Sequence, residues 1–346
     1  MATVNEGSLR RWAVALLRSW GYASDDAQFI ADSLVDANLR GVDSHGVLRL
    51  PAYAARIERE LVDPVARPLV TTSGAVVTVD ANRAAGQIAA RAAVDGLTDS
   101  SRQYGVATGI VRGSAHFGAA GYYARLLASR GKVAFVVSNS EPIVVPYGGR
   151  SALLGTNPLA FAAPTAGAPL SLDMATSTTA MGKVMVALAR HEPIPADWGV
   201  DKDGLVTTDP ADVVALLPVG GPKGYGLGML VEVLGGVLSG AAIAANLGNM
   251  YTDFDRPQNV GHWMLALDIE AFMPVATFQQ RMADLVGMVR AAPAQDEARP
   301  VLVPGEPEQM TYEARKQEGI PIAEDTLVEL SSLGERYRVG PVPVIA

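Results

Sequence analysis

The sequence predicts an α/β or α+β protein: a helical N-terminal segment, then a sheet with helices over both faces. Three observations carry this reading. Residues 1–60 place apolar side chains three and four apart. From about Ala75, short apolar runs bounded by Gly, Pro or Asn are interleaved with helix-like stretches. The chain is also long enough, at 346 residues with 49% hydrophobic, to bury a sizeable core rather than stay disordered.

Leu9 to Gly21 carries Leu9, Trp12, Ala13, Leu16 and Leu17 on one helical face. Ser24 reads as the N-cap of a second helix, with Asp25 and Asp26 in a first turn favoured by the helix dipole. That helix runs through Phe29, Ile30 and Leu34 to a stop near Gly41. A third begins near Val47, shows Leu48, Tyr53 and Ile57, and ends before Asp63-Pro64. The polar stretch Val42 to Gly46 is left at a helix junction. Beyond it the strand-like runs are Val76 to Asp80, Val106 to Val111, Val133 to Asn139, Leu159 to Ala163, Leu170 to Asp173 and Trp263 to Ile269. The helix-like stretches are Gly86 to Tyr104, Tyr122 to Arg130, Thr178 to Ala189, Gly224 to Ser239 and Val275 to Arg290. Ala291 to Pro304 reads as a linker, and Ile322 to Gly334 as a last helix that packs back on the first segment.

Composition removes several function classes. A formal charge of −8 lacks the basic stripe that neutralising nucleic-acid phosphates requires. Zero cysteines exclude disulfides, thiolate zinc sites, iron–sulfur clusters and cysteine nucleophiles, and suit a reducing cytoplasm. Trp12 to Leu17, hemmed by Arg11 and Arg18, is too short for a signal-peptide core. The longest apolar run, Gly224 to Leu247, is Gly-rich and contains Glu232, so it reads as a buried core helix rather than a membrane span. A cytoplasmic protein with neither a membrane nor a nucleic-acid partner is the expectation.

His45, His116, His191 and His262 are the only histidines, and none sits at metal-ligand spacing, so no metal is expected. In Asp43-Ser44-His45-Gly46, His45 stands at a helix entry, with Arg49 and Tyr53 following at steps of four. If Val47 opens a helix, Arg49 and Tyr53 share a face, and an imidazole, a guanidinium and a phenol surround one small volume. An Arg fork suits a carboxylate. The plain reading of the same residues is an N-cap Ser44 with a solvated Arg. Sequence neighbours seldom face each other, so Ser44 and His45 do not read as a nucleophilic pair.

His116 lies in Gly113-Ser114-Ala115-His116-Phe117-Gly118, between a strand-like run and a helix, where α/β proteins place ligands. It is either a general acid/base or a histidine satisfied within a turn. His191, beside Glu192 and prolines, reads as exposed. His262 directly precedes a strand and reads as structural. Gly220 to Gly228 misses both familiar phosphate-loop templates, since Met229 fills the last glycine place and Gly224 follows Lys223. Lys223 at a Gly-rich helix entrance still offers N–H groups, a dipole and a cation to a phosphate; close helix packing through small residues is the alternative. Gly155-Thr156-Asn157-Pro158 and Asp173-Met174-Ala175-Thr176-Ser177 add short polar side chains beside strands.

Taken in order, these segments resemble the type-2 malate/L-lactate dehydrogenase family, which includes ureidoglycolate, sulfolactate and piperideine-2-carboxylate oxidoreductases. The resemblance rests on Asp43 to Arg49, Ser114 to Tyr122, Ser138-Asn139-Ser140, Pro146 to Gly149, Leu154 to Phe161, Leu172 to Ser177, Pro222 to Leu227 and Pro304-Gly305-Glu306. It is collinear over nearly the whole chain. It departs from the usual pattern at Ala115, where many relatives carry Asn, and at Tyr147, where Trp is common.

The resemblance implies a non-Rossmann fold with a mixed-sheet domain plus a helical domain. The helical domain is expected from residues 1–74 joined by 303–346, and the cofactor- and substrate-binding sheet domain from 75–302. It implies reversible hydride transfer between NAD, with NADP as the alternative, and a small carboxylate substrate, in a homodimer. His116 matches the acid/base residue and Arg49 the carboxylate anchor, with His45 beside it. Tyr53, Thr156 and Asn157 are expected at the substrate. Ser44, Ser140, Asp173, Met174, Ala175, Lys223, Gly305 and Glu306 are expected at the cofactor. A 2-hydroxy-acid dehydrogenase is the leading expectation. A reductase of cyclic 2-imino acids and a non-catalytic dinucleotide-binding homologue are the alternatives, and a phosphate-binding transport component is disfavoured.

Overall fold

The computed structural model describes residues 2–296 and 298–345. β1 (Ala2–Val4) leads into α1 (Glu6–Ser19) and α2 (Ser24–Leu39). Two 3₁₀ turns, Asp43–His45 and Val47–Arg49, precede α3 (Leu50–Glu58). Then come β2 (Leu69–Ser73), β3 (Val76–Asp80), α4 (Gly86–Tyr104), β4 (Val106–Ser114), α5 (Ala120–Ser129), β5 (Lys132–Ser138), β6 (Leu159–Ala163) and β7 (Leu170–Met174). α6 (Met181–Arg190) is followed by the short strands β8 (Gly199–Val200), β9 (Val206–Thr207) and β10 (Ala215–Leu216). α7 (Pro222–Val231) runs into a π turn at Glu232–Val237, and β11 (Val260–Asp268) and α8 (Val275–Arg290) follow. α9 (Glu306–Glu318), β12 (Ile320–Ile322) and α10 (Glu324–Arg336) complete the order.

Seven strands form the main sheet in the order β2-β3-β4-β11-β5-β6-β7. Its one parallel pair is β3 with β4, bridged by α4, and every other pairing is antiparallel. β11 is inserted between β4 and β5 and pairs with both. α4 and α5 pack on the sheet, and the π turn touches β11 and β5. Val77, Val79, Ala107, Val111, Ala134, Val136, Met264 and Ala266 are buried against Ala89, Ala93, Leu97, Ala124 and Leu127 of those helices. Small residues at these contacts bring helix and sheet close together.

A second core joins the two ends of the chain. Leu9, Trp12, Leu16, Ile30, Leu34 and Leu50 pack with Ile320, Ile322, Leu330 and Leu333. β1 pairs β12 in antiparallel register, Ala2 opposite Ile322. α9, which precedes β12, buries no residue, so its sequence carries no apolar stripe.

Several sequence expectations are corrected in detail. Ser24 is the first residue of α2 and Ala23 is its cap; Ser24 makes no capping bond. Val47 opens a 3₁₀ turn, and the α-helix starts only at Leu50, with Pro51 in its first turn, where a missing N–H is tolerated. The run Gly224 to Leu247 is not one buried helix: it breaks at the π turn, and Leu230, Val233, Val237 and Leu238 face outward in the single chain. Its glycines explain the asymmetry, because a Cβ at Gly235 would lie 3.0 Å from backbone atoms of Asn139 and Gly261. The small face is inside and the branched face outside. β2 lies within residues 1–74 yet pairs β3 in the main sheet. No helix among the described residues is long and apolar enough to cross a membrane.

Candidate active site

The Asp43 to Arg49 segment is shaped by residues on α2 and α9. Asn38, at the end of α2, donates to Asp43 Oδ1 at 2.7 Å and accepts the Val47 N–H at 2.9 Å. Arg315 of α9 pairs with Asp43 at 2.7 Å. A Cβ at Gly46 would fall 2.2 Å from Asn38 Oδ1, so this approach requires glycine. The resulting 3₁₀ turn sets Ser44 Oγ 2.9 Å from His45 Nδ1. The expectation that these neighbours stay apart is thereby corrected: tight winding brings them together. Arg49 Nε donates to the Ser44 carbonyl at 2.6 Å, and its guanidinium lies 5.5 Å from the Tyr251 ring centre.

His116 sits in the loop between β4 and α5 and stacks on His45, with ring centres 5.5 Å apart at 27°. Its Nδ1 is 2.7 Å from the Tyr53 hydroxyl of α3, which also accepts from Gln87 at 2.9 Å. The His116 N–H donates to Gln258 Oε1 at 3.1 Å. His45, Arg49, Tyr53 and His116 thus come together. Burial, then the charges of Arg49, His45 and His262, hold the His116 pKa well below its usual value. Burial and Arg49 hold His45 down to about 3, and burial pushes the Tyr53 hydroxyl up. Burial also lowers Arg49. Among the described residues no carboxylate pairs with Arg49. A partly buried cation with no carboxylate in contact, Glu141 acting on it only through space, is a place where a carboxylate ligand is stabilising.

The remaining sequence candidates form a second group of laced loops. Ser140 N–H donates to Asn157 Oδ1 at 3.1 Å, and Ser140 Oγ lies 3.3 Å from Thr156 Oγ1. Asn157 is fully buried, and its amide donates to the Gly228 carbonyl at 3.0 Å and to Glu232 at 2.9 Å. Its side chain braces the two loops on α7. Thr176 accepts the Val219 N–H at 2.9 Å, which ties the segment through Met174 and Ala175 to the turn before Lys223. Asp173 accepts the Gly121 N–H at 2.8 Å. Gly305, at φ 88°, enters α9 so closely that a Cβ would lie 2.5 Å from the Ser171 carbonyl oxygen. Glu306 caps that turn by accepting the Val303 N–H at 2.9 Å. Lys223 is exposed at the start of α7. The expected free N–H groups there are corrected: Pro222 has none, and those of Gly224 and Tyr225 bond Val219 and Gly221.

Sequence reasoning missed Asn38, Gln87, Gln258 and Arg315, which shape the site from other elements. Gln87, Gln258 and Arg315 have partners far along the chain, and Asn38 reaches across the 3₁₀ turn to Asp43 and Val47, so helical spacing carries no signal for any of them. His191 is exposed at the end of α6, in a left-handed conformation. His262 lies within β11, not before it, and is fully buried. Its ring nitrogens meet Ser138 Oγ at 2.8 Å and Ser114 Oγ at 2.9 Å, and it stacks on Phe117 at 4.0 Å.

Burial holds the His262 pKa at about 3. An unfolded chain therefore binds its proton first as pH falls below about 6.5. His262 alone is expected to remove up to about 1.4 kcal/mol of stability per pH unit between there and its folded value. Urea unfolding from pH 7 to 5 in wild type and His262→Gln checks this. Parallel pH slopes would show that His262 is not held neutral.

Residues 4–331 match the family described as malate/L-lactate dehydrogenase. Malate dehydrogenase of Pyrococcus abyssi is 34% identical, covering 97% of this chain and 95% of its own. Ureidoglycolate dehydrogenase (NAD(+)) of Escherichia coli K12 is 37% identical over 88% of each chain. The crystal structure of Δ1-piperideine-2-carboxylate reductase from Pseudomonas syringae superposes with TM-score 0.85 at 33% identity, covering 96% of this chain and all of that one.

Proposed function

The chain belongs to the malate/L-lactate dehydrogenase family, and on that footing we propose that it moves a hydride between NAD(P) and the C2 carbon of a small 2-hydroxy or 2-oxo acid. The convergence of His45, Arg49, Tyr53 and His116 around a guanidinium without a carboxylate partner carries the reading. Arg49 holds the substrate carboxylate and fixes the acid's orientation. His116, neutral at pH 7, takes the hydroxyl proton in oxidation and returns it in reduction. His45 stacks on that ring and limits its rotation.

A dinucleotide fits the second group of loops. Lys223 presents an exposed cation, Ser140 presents a half-buried hydroxyl, and the Gly155 and Gly305 backbones lie too close to their neighbours for any side chain. When bound, the nicotinamide accepts or delivers the hydride. NAD is the expected form, as in the name of the E. coli relative, with NADP the alternative. The loops at Ser140, Asp173 to Ala175 and Gly305-Glu306 would frame it, with Lys223 neutralising phosphate charge. We read residues 1–74 with 303–346 as the helical domain, apart from β2, which joins the main sheet, supported by the core that both chain ends share, and 75–302 as the domain that binds cofactor and substrate.

A reductase of a cyclic 2-imino acid is the second reading, favoured by the likeness to the piperideine-2-carboxylate reductase structure. Both substrates carry the carboxylate that Arg49 would hold. An absorbance panel at about 340 nm, where the reduced nicotinamide is read, separates them. It pairs NADH and NADPH with pyruvate, oxaloacetate, 3-sulfopyruvate and a cyclic imino acid, and the oxidised cofactors with malate, lactate, sulfolactate and ureidoglycolate. Turnover with an oxo or hydroxy acid supports the first reading, and turnover with the imine alone supports the second. Cofactor binding by calorimetry with no turnover would leave a binding-only homologue.

We further propose a homodimer, supported by the outward branched face of Leu230, Val233, Val237 and Leu238 and by α8, which buries no residue of its own. Sedimentation at micromolar concentration is expected to give twice the chain mass, reverting towards monomer in Val233→Asp. A monomer at every concentration would overturn this.

A further inference from the structure

We propose that the cavity beside His116 is a binding site for one water molecule, held by Arg56 Nε and Gln258 Nε2. The site rests on the packing of α3 against the His116 loop and stands whatever acid is turned over.

Residues of α1, α2 and α3 wall the cavity on one side, and the start of α4, the His116 loop and Gln258 wall it on the other. About 20 Å³ is open to a water, which is room for one molecule and too little for a substrate. Leu17, Ile30, Ile57 and Val62 make much of the wall apolar, and a wholly apolar cavity stays dry. Two donors change that. Arg56 and Gln258 are each 2% exposed. Arg56 Nη1 and Nη2 are spent on the carbonyls of Asn249, Met250, Asp253 and Arg256, and its Nε–H meets no acceptor among the described residues. Gln258 Oε1 accepts the His116 N–H at 3.1 Å, which fixes the orientation of the amide, because its NH₂ group cannot accept. The NH₂ therefore points away from that peptide, and it too meets no acceptor among the described residues.

Two buried donors on one cavity call for a shared acceptor, since each one left dry keeps its full desolvation cost. A water offers one lone pair to each N–H and still has two protons to give. Gln87, whose Nε2 is engaged by Tyr53, and Tyr22 bring acceptor oxygens to the same wall. An anion would take the two N–H groups but would also meet those oxygens and the apolar side chains, so the mixed lining suits a neutral molecule that both accepts and donates. In place, the water ties α3 to the amide that holds the His116 peptide. The link runs from Arg56 through the water to Gln258 and on to the His116 N–H. Arg56, which takes no part in the proposed reaction, thereby braces the loop that carries the imidazole.

The test crystallises the full chain, with and without a bromide soak. The expected map shows one ordered water within hydrogen-bond distance of both Arg56 Nε and Gln258 Nε2, and no anomalous bromide signal there. An empty cavity, or either nitrogen bonded to a protein oxygen instead, would overturn the proposal. A bromide peak between the two donors would overturn it in favour of an anion. In solution, oxygen-17 relaxation dispersion counts the waters that stay bound longer than the protein takes to tumble. Ala115 lines the cavity and packs against the helical core, so Ala115→Val sends added methyl groups into the space. Its count is expected to fall by one water against wild type. An unchanged count in the folded variant would overturn the proposal as well. The wild-type maps decide the question even if the variant does not fold.

Discussion

His116→Ala is expected to lower kcat by about 10²–10⁴-fold, the range for removing a positioned general acid or base. The loss should fall on turnover more than on binding. His116 is linked by hydrogen bonds to Tyr53, Gly118 and Gln258, whereas the loops at Ser140 and Asp173 bond other partners and Lys223 stands exposed at the start of α7. Cofactor affinity by calorimetry should therefore stay within about threefold of wild type, since an unaltered network conserves its binding free energy. The fold should survive, at the cost of leaving the Tyr53 O–H without its acceptor, about 1–3 kcal/mol. The pH profile adds a signed check. Oxidation needs the neutral ring, which burial and the Arg49 charge favour down to well below pH 6.5. Oxidation by wild type should hold constant from neutral pH until the acid limb begins below that value. His116→Ala should lack that limb. Near-normal kcat in the variant would remove His116 from the mechanism.

The parts of this molecule legible in the sequence are those whose signal is local. β3, β6 and α4 fall where short apolar runs and three-to-four spacing place them, because those patterns come directly from burial on one face. β1, β12 and α9 carry no such pattern. The first two are three-residue strands that pair across almost the whole chain, and α9 buries nothing. The same division runs through the site. His45, Arg49, Tyr53 and His116 stand out as reactive side chains in turns or at helix entries, and they do converge. Asn157 was expected at the substrate, yet its amide is fully engaged between Ser140, Gly228 and Glu232. A polar side chain in a loop gives the same sequence signal whether it faces a ligand or braces two backbones. Gln87 and Asn38 show the converse: they shape the site and give no signal, because their partners are set by tertiary packing.

Arg49→Ala should lower kcat/KM for the acid by about 10²–10³-fold, equivalent to about 3–4 kcal/mol. An Arg fork makes two parallel charge-assisted bonds to a carboxylate, and neither survives the substitution. Arg56, the nearby buried arginine on α3, already donates to the carbonyls of Asn249, Met250, Asp253 and Arg256. Arg49→Lys should recover only part of the loss, since a single ammonium cannot match the fork. Stability should move the other way. Wild type holds a partly buried guanidinium that burial disfavours more than the Tyr53 and Glu141 charges offset, so the alanine variant should melt at the same temperature or higher. A non-reacting 2-oxo acid analogue such as oxamate should then raise the melting temperature of wild type and leave that of Arg49→Ala unmoved. The two readouts separate a binding residue from a structural one. A variant that unfolds more easily and keeps its KM would mean that Arg49 supports the Ser44 turn and that the carboxylate is held elsewhere. Only a loss of affinity without a loss of stability fits an anchor that waits for its ligand.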